Sequence, residues 1–215
     1  MASVARAFAL GGSGVEIDIY FMPAEGVFIV SHGHPDKNGN NLTLKAMFES
    51  VGVSGEGYFW LDYKNLGDLT AAQTVQAIKR LSAISSEGGL RERLYIEGVN
   101  PLMLTDYRQA GFRTILDAQL PPDNWPVTHF VTSIYKAAYY FGDHTVLGMP
   151  YGTLDEPVYG PETRELLGTL PVFLYHVPDN RALLQGLVSN KAVRALLVGR
   201  DVSVARFDIN ICSDE

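Results

Sequence analysis

Short apolar runs alternate with helix-patterned stretches along this chain. The runs are GVEIDIYF (14–21), YFWLDY (58–63), RLYIEG (93–98), FRTILDA (112–118), HTVLGM (144–149), PVFLYHV (171–177) and RALLVG (194–199). Their richness in Val, Ile, Leu, Phe and Tyr predicts strands covered on both faces, as in a parallel sheet. GVFIVSH (26–32) predicts an extra strand in a hairpin with 15–21. Between the runs, LTLKAMFESV (42–51) predicts a helix with Asn41 as its N-cap. Residues 69–88 predict a longer one, with Ala72, Val75, Ile78, Leu81 and Ile84 as the apolar stripe and a stop before Gly88-Gly89. Asn100-Pro101 opens a helix that Gly111 closes. Residues 132–141, 161–168 and 180–190 read as further helices.

Alternation of strand and helix predicts the α/β class. A (β/α)8 barrel needs eight parallel strands, with its site at their C-terminal ends. Seven main runs and a helix-like start at 2–10 predict an incomplete (β/α)8 barrel whose first strand is missing. An open doubly wound sheet is the alternative. At 215 residues, 47% apolar and 19% charged, the chain suits a single domain, 1–215. The net charge of −7 argues against a nucleic-acid partner, because phosphate neutralisation needs clustered Lys and Arg. The single cysteine, Cys212, excludes an intramolecular disulfide and a multi-cysteine zinc site. No run approaches the length of a transmembrane helix. The compartment is left open.

Glu16 and Asp18 lie inside an apolar strand, and period-two alternation points both to one side. Two like charges on one face need a cation or a proton to coexist. Carboxylate oxygens favour Mg²⁺ or Ca²⁺. Asp62 and Lys64 repeat this geometry at the end of the next main strand, where Asp62 offers a third oxygen and Lys64 a positive charge for a phosphate. The loop SHGHPDKNGNN (31–41) between them holds His32 and His34, and a loop histidine can exchange protons near neutral pH. Glu97 and Asp117 end later strands. His129, His144 and His176 stand isolated and read as packing or surface residues. The Tyr-rich stretch 133–141 reads as helix packing, and the Gly/Pro-rich loop 149–162 as a shaper of a site entrance.

GVEIDIYF, FIVSHGHP and LDYK, in that order and spacing, resemble the superfamily of glycerophosphodiester phosphodiesterases, phosphatidylinositol-specific phospholipases C and sphingomyelinases D. HGHP followed by LDYKNL is also similar to the barrel of menorin-type relatives. The resemblance implies that Glu16, Asp18 and Asp62 hold one Mg²⁺ or Ca²⁺, that His32 is an acid/base group and that Lys64 contacts the phosphate. It implies a small phosphodiester or phospholipid-headgroup substrate. The later segments resemble the family less specifically. They place Tyr175 at an aromatic position lining the substrate pocket and Asp201 after the last strand. Glu97, by its own place at a strand end facing the site rim, is the further candidate for contact with the substrate or the metal shell. The family's first catalytic histidine ends strand 1, and no histidine precedes Glu16 here. That departure opens a second expectation, a non-catalytic metal-stabilised barrel that binds a ligand or partner. An absent strand would also leave a barrel edge, for which self-association is one cover. No G-x-S-x-G elbow supports a serine hydrolase.

Overall fold

The alternation around Glu16 is realised as a strand with two different faces. In the computed structural model, β1 (Gly14–Met22) buries Ile17, Ile19 and Phe21 on one face and sets Glu16, Asp18 and Tyr20 on the other. The structure describes residues 2–36, 39, 41–51, 57–86 and 89–199, and Asp201 and Cys212 lie outside them. The chain divides into two compact units, Met1–Thr114 and Ile115–Glu215.

In the first unit, α1 (Ala2–Ala9) precedes β1, and β2 (Val27–Val30) folds back antiparallel on β1 as the sequence predicts. Gly26 makes that hairpin turn at φ +64, a left-handed conformation that glycine adopts without strain. β3 (Tyr58–Tyr63) runs parallel to β1, and β4 (Leu94–Gly98) runs parallel to β3. Phe59, Leu61 and Tyr63 continue the buried face of Ile17 and Ile19 through this register. Phe48, on α2 (Leu44–Val51), meets Phe59 with ring centroids 4.9 Å apart. Tyr107, on α4 (Pro101–Gln109), meets Tyr63 edge-on at 5.8 Å. The core therefore lies between these strands and their helices, on the side away from the carboxylates.

The helix starts are chemically specific, and two expectations need correction. Thr43, rather than Asn41, caps α2 by accepting from Ala46 N at 3.1 Å. Asn41 lies too far upstream of Leu44 to reach the first free amides. It instead exchanges two hydrogen bonds with the Asp36 backbone. α3 (Ala71–Ile84) begins with a capping box between Thr70 and Gln73 and ends before the two glycines, with Ser85 as its cap. Its buried residues are Thr74, Ala77 and Leu81, while Ala72 and Val75 face solvent. Steps of three residues turn only about 300°, so a line through 72, 75, 78, 81 and 84 drifts around the helix instead of staying on one face. Asn100 caps α4 through Leu102 N and Met103 N, as expected.

β5 (Arg113–Asp117) begins at the end of the first unit. The second unit continues with α5 (Thr128–Phe141), β6 (Val146–Pro150), α6 (Pro161–Leu167), β7 (Val172–Tyr175), α7 (Arg181–Val188) and β8 (Val193–Leu196). Its strands are parallel neighbours in chain order. Asp123 caps α6, accepting from Thr163 N at 2.7 Å and Glu162 N at 3.2 Å. In α5 the expectation of packing holds for Tyr135 and Tyr139, which are half-buried, and fails for Tyr140 and Phe141, which are exposed.

Seven parallel strands, counted among the described residues, form an incomplete (β/α)8 topology. β2 is added antiparallel beside β1. No described helix is long and apolar enough to cross a membrane.

Candidate metal centre

The parallel register of β1 and β3 sets Asp18 beside Asp62. Glu16 precedes Asp18 by two residues and so shares its face. One ligand atom from each of Glu16, Asp18 and Asp62 lies within 4.8 Å of the other two, and all three residues are half-buried. Three hard oxygen donors this close suit a small divalent cation. Glu16 shows the electrostatic cost of gathering them on one half-buried face. Burial, then repulsion from Asp18 and Asp62, pushes its carboxyl up to about 7.

Lys64 lies at the negative edge of this cluster. Its Nζ donates to Asp18 Oδ1 at 2.6 Å and Asp62 Oδ2 at 2.5 Å. Burial works against the Lys64 charge, but the hydrogen bonds to Asp18 and Asp62 outweigh it and its pKa is raised. The positioning comes from β3 running straight into Lys64, whose backbone N donates to Ile19 O at 3.0 Å. Asn65 fixes the same junction. Its side chain accepts from Phe21 N at 3.0 Å and donates to Phe21 O at 2.9 Å. This role was absent from the sequence reading. The only signal for it was an amide side chain immediately after a strand.

His32 follows β2 and returns to the site through Nδ1, 3.1 Å from Asp18 Oδ2. Its side chain is 85% exposed, so the rest of the ring is open to solvent. His34 packs against Tyr20, which lies two residues beyond Asp18 on the same face, with ring centroids 5.6 Å apart. The fold thus brings Glu16, Asp18, His32, Asp62 and Lys64 together.

Glu97 pairs with Asp62 in the β3–β4 register and faces the same side. It is buried and accepts from Trp60 Nε1 at 2.7 Å. Tyr175 belongs to the second unit, where its hydroxyl donates to Asp117 Oδ1 at 2.9 Å. Gln119 holds the other Asp117 oxygen at 2.5 Å. Of the isolated histidines, His144 is buried, His129 pairs with Glu162 at 2.9 Å, and His176 packs edge-on against Tyr175 at 5.0 Å.

No protein-family model matches the chain, and none of the curated proteins matches it. Solved structures do. A protein of Silicibacter pomeroyi assigned as a glycerophosphoryl diester phosphodiesterase matches with TM-score 0.64 at 16% identity, over 91% of this chain and 84% of that one. One from Galdieria sulphuraria, assigned as a glycerophosphodiester phosphodiesterase, matches with TM-score 0.62 at 11% identity, over 88% and 83%. A glycerophosphodiester phosphodiesterase of Parabacteroides distasonis matches with TM-score 0.62 at 15% identity, over 89% and 81%. The chain shares its fold with glycerophosphodiester phosphodiesterases.

Proposed function

We propose that the protein is a metal-dependent phosphoric diester hydrolase acting on glycerophosphodiesters or phospholipid headgroups. The observation that carries this reading is the meeting of Glu16, Asp18 and Asp62 within 4.8 Å on adjacent parallel strands, with Lys64 and His32 bonded to Asp18. The shared fold adds to it. Glu16, Asp18 and Asp62 would hold one Mg²⁺ or Ca²⁺. Such a cation would supply charge stabilisation at a non-bridging phosphate oxygen. Lys64 adds a second positive group at the same place. His32 exchanges the proton of the attacking or leaving oxygen, and its exposed ring leaves room for a diester to approach. Water as the attacking group gives hydrolysis, whereas a hydroxyl of the substrate gives a cyclic phosphate. Glu97 and Tyr175 are the proposed substrate-side residues.

The direct test is release of glycerol phosphate from glycerophosphocholine with Mg²⁺ or Ca²⁺, beside the same assay with chelator. Turnover that disappears with chelator and in Glu16→Ala supports the hydrolase. Turnover that survives both overturns it. His32→Ala is expected to lower the rate by roughly 10²–10⁴-fold, the usual contribution of a positioned proton-transfer group.

A second reading, the non-catalytic metal-stabilised barrel, is favoured by one observation. Among the described residues His32 is the one histidine bonded to the carboxylates. It predicts cation-dependent melting with no turnover of any phosphodiester.

A further inference from the structure

Helix α5 is apolar on the wrong side for a lone surface helix. Its buried residues are Thr128 and Thr132. Facing outward are Val127 just before it, then Phe130, Ile134 and Phe141, with Phe130 70% and Phe141 91% exposed. Ala137 is exposed in the same line. Positions 127, 130, 134, 137 and 141 step by three and four residues alternately. That is the narrow seam along which two helices interlock, knob into hole, and not the broad stripe of a helix packed on its own core. Trp125, exposed at the helix entrance, and Tyr140 flank the seam.

The seam also lacks anything that would repel its own image. From Asn124 to Gly142 there is no acidic residue. The one lysine there, Lys136, gives its Nζ to Leu166 O at 2.5 Å, and His129 is paired with Glu162. Aromatic side chains bury ~150–250 Å² each, so the exposed parts of Phe130, Phe141, Trp125 and Tyr140 with Val127 and Ile134 offer roughly 700 Å², close to the ~800 Å² per partner of a standard interface. An anionic membrane is a poor match for a chain of net charge −7.

We infer that the α5 seam is a homodimer interface, covered by the same seam of a second copy of this chain about a twofold axis. Such an interface is self-complementary by symmetry, which is what a single uncharged stripe of this spacing requires. It shares no residue with the candidate metal centre, so dimerisation and cation binding are tested by different variants.

The test is sedimentation equilibrium of the full chain from low to high micromolar concentration. The expected result is a species of twice the single-chain mass that dissociates on dilution, and a Phe130→Glu/Phe141→Glu double variant that stays monomeric with unchanged circular dichroism. Cross-linking guards against a variant that misfolds. Ile134→Cys, at the middle of the seam and in a Cys212→Ser background, is expected to form a disulfide-linked pair under mild oxidation. A wild type that is monomeric throughout, a double variant that keeps the doubled mass, or no cross-link through position 134 would each overturn the inference. So would capture of the monomer by anionic phosphatidylserine vesicles through these same residues.

Discussion

Glu16 carries the electrostatic signature of the carboxylate cluster. Its carboxyl is held up at about 7 by burial first and then by Asp18 and Asp62. An unfolded chain would ionise it near 4.5. The cation-free fold therefore holds a proton that the unfolded state has released between these two values. The sign follows from linkage: stability is lost as pH rises from near 4.5 through about 7. Thermal melting in chelator is expected to fall between pH 5 and pH 8, and Glu16→Gln should flatten that fall while abolishing cation binding. Equal slopes for wild type and variant would show that Glu16 is not the group responsible. Lys64 offers the complementary experiment. Its ammonium is bonded to two of the three carboxylates. In Lys64→Met these lose their internal counter-charge, so the rise in melting temperature caused by Mg²⁺ or Ca²⁺ should exceed that of the wild type. An equal or smaller rise would mean that Lys64 does not compensate the cluster.

At the scale of elements, two hydrogen-bonded devices separate stability from site geometry. Asn65 makes a pair of bonds to the Phe21 backbone where β1 ends and Lys64 begins. Each such bond contributes about 0.5–1.5 kcal/mol, so Asn65→Ala should cost about 1–3 kcal/mol in denaturant unfolding. It should also weaken cation binding measured by calorimetry, because the strand ends carrying Asp18 and Asp62 are no longer tied. Thr70 caps α3, and its hydrogen bonds go to Gln73 and Thr74 rather than to these carboxylates. Thr70→Ala should cost about 1 kcal/mol and leave cation affinity unchanged. Loss of affinity in both variants would point to general loosening rather than to the Asn65 junction.

For the whole molecule, likeness of fold goes with little likeness of sequence. Identities of 11–16% accompany TM-scores of 0.62–0.64 over most of the chain. Very different sequences can share a fold because cores ask for apolar residues of suitable volume, not for particular ones. A cation that binds only the folded chain stabilises it by mass action, about 2.7 kcal/mol at a hundredfold excess over its Kd. Cation-dependent melting is expected under either functional reading. What divides them is phosphodiester turnover by the same sample.

The sequence by itself determined the α/β class, the hairpin after β1 and the shared face of Glu16 and Asp18. All three follow from local periodicity, which a chain carries without needing its neighbours. Composition fixed the net charge of −7 and the single cysteine, which are counts that need no structure. Only the tertiary structure decided that Asp18 stands beside Asp62, since strand register depends on residues more than forty positions apart. It decided that Lys64 bonds both aspartates and that Asn65 ties down Phe21. It also decided that Val75 faces solvent and that α5 turns its phenylalanines outward. A helical sequence shows which residues share a face, but which face meets the sheet is settled only when the other elements pack against it.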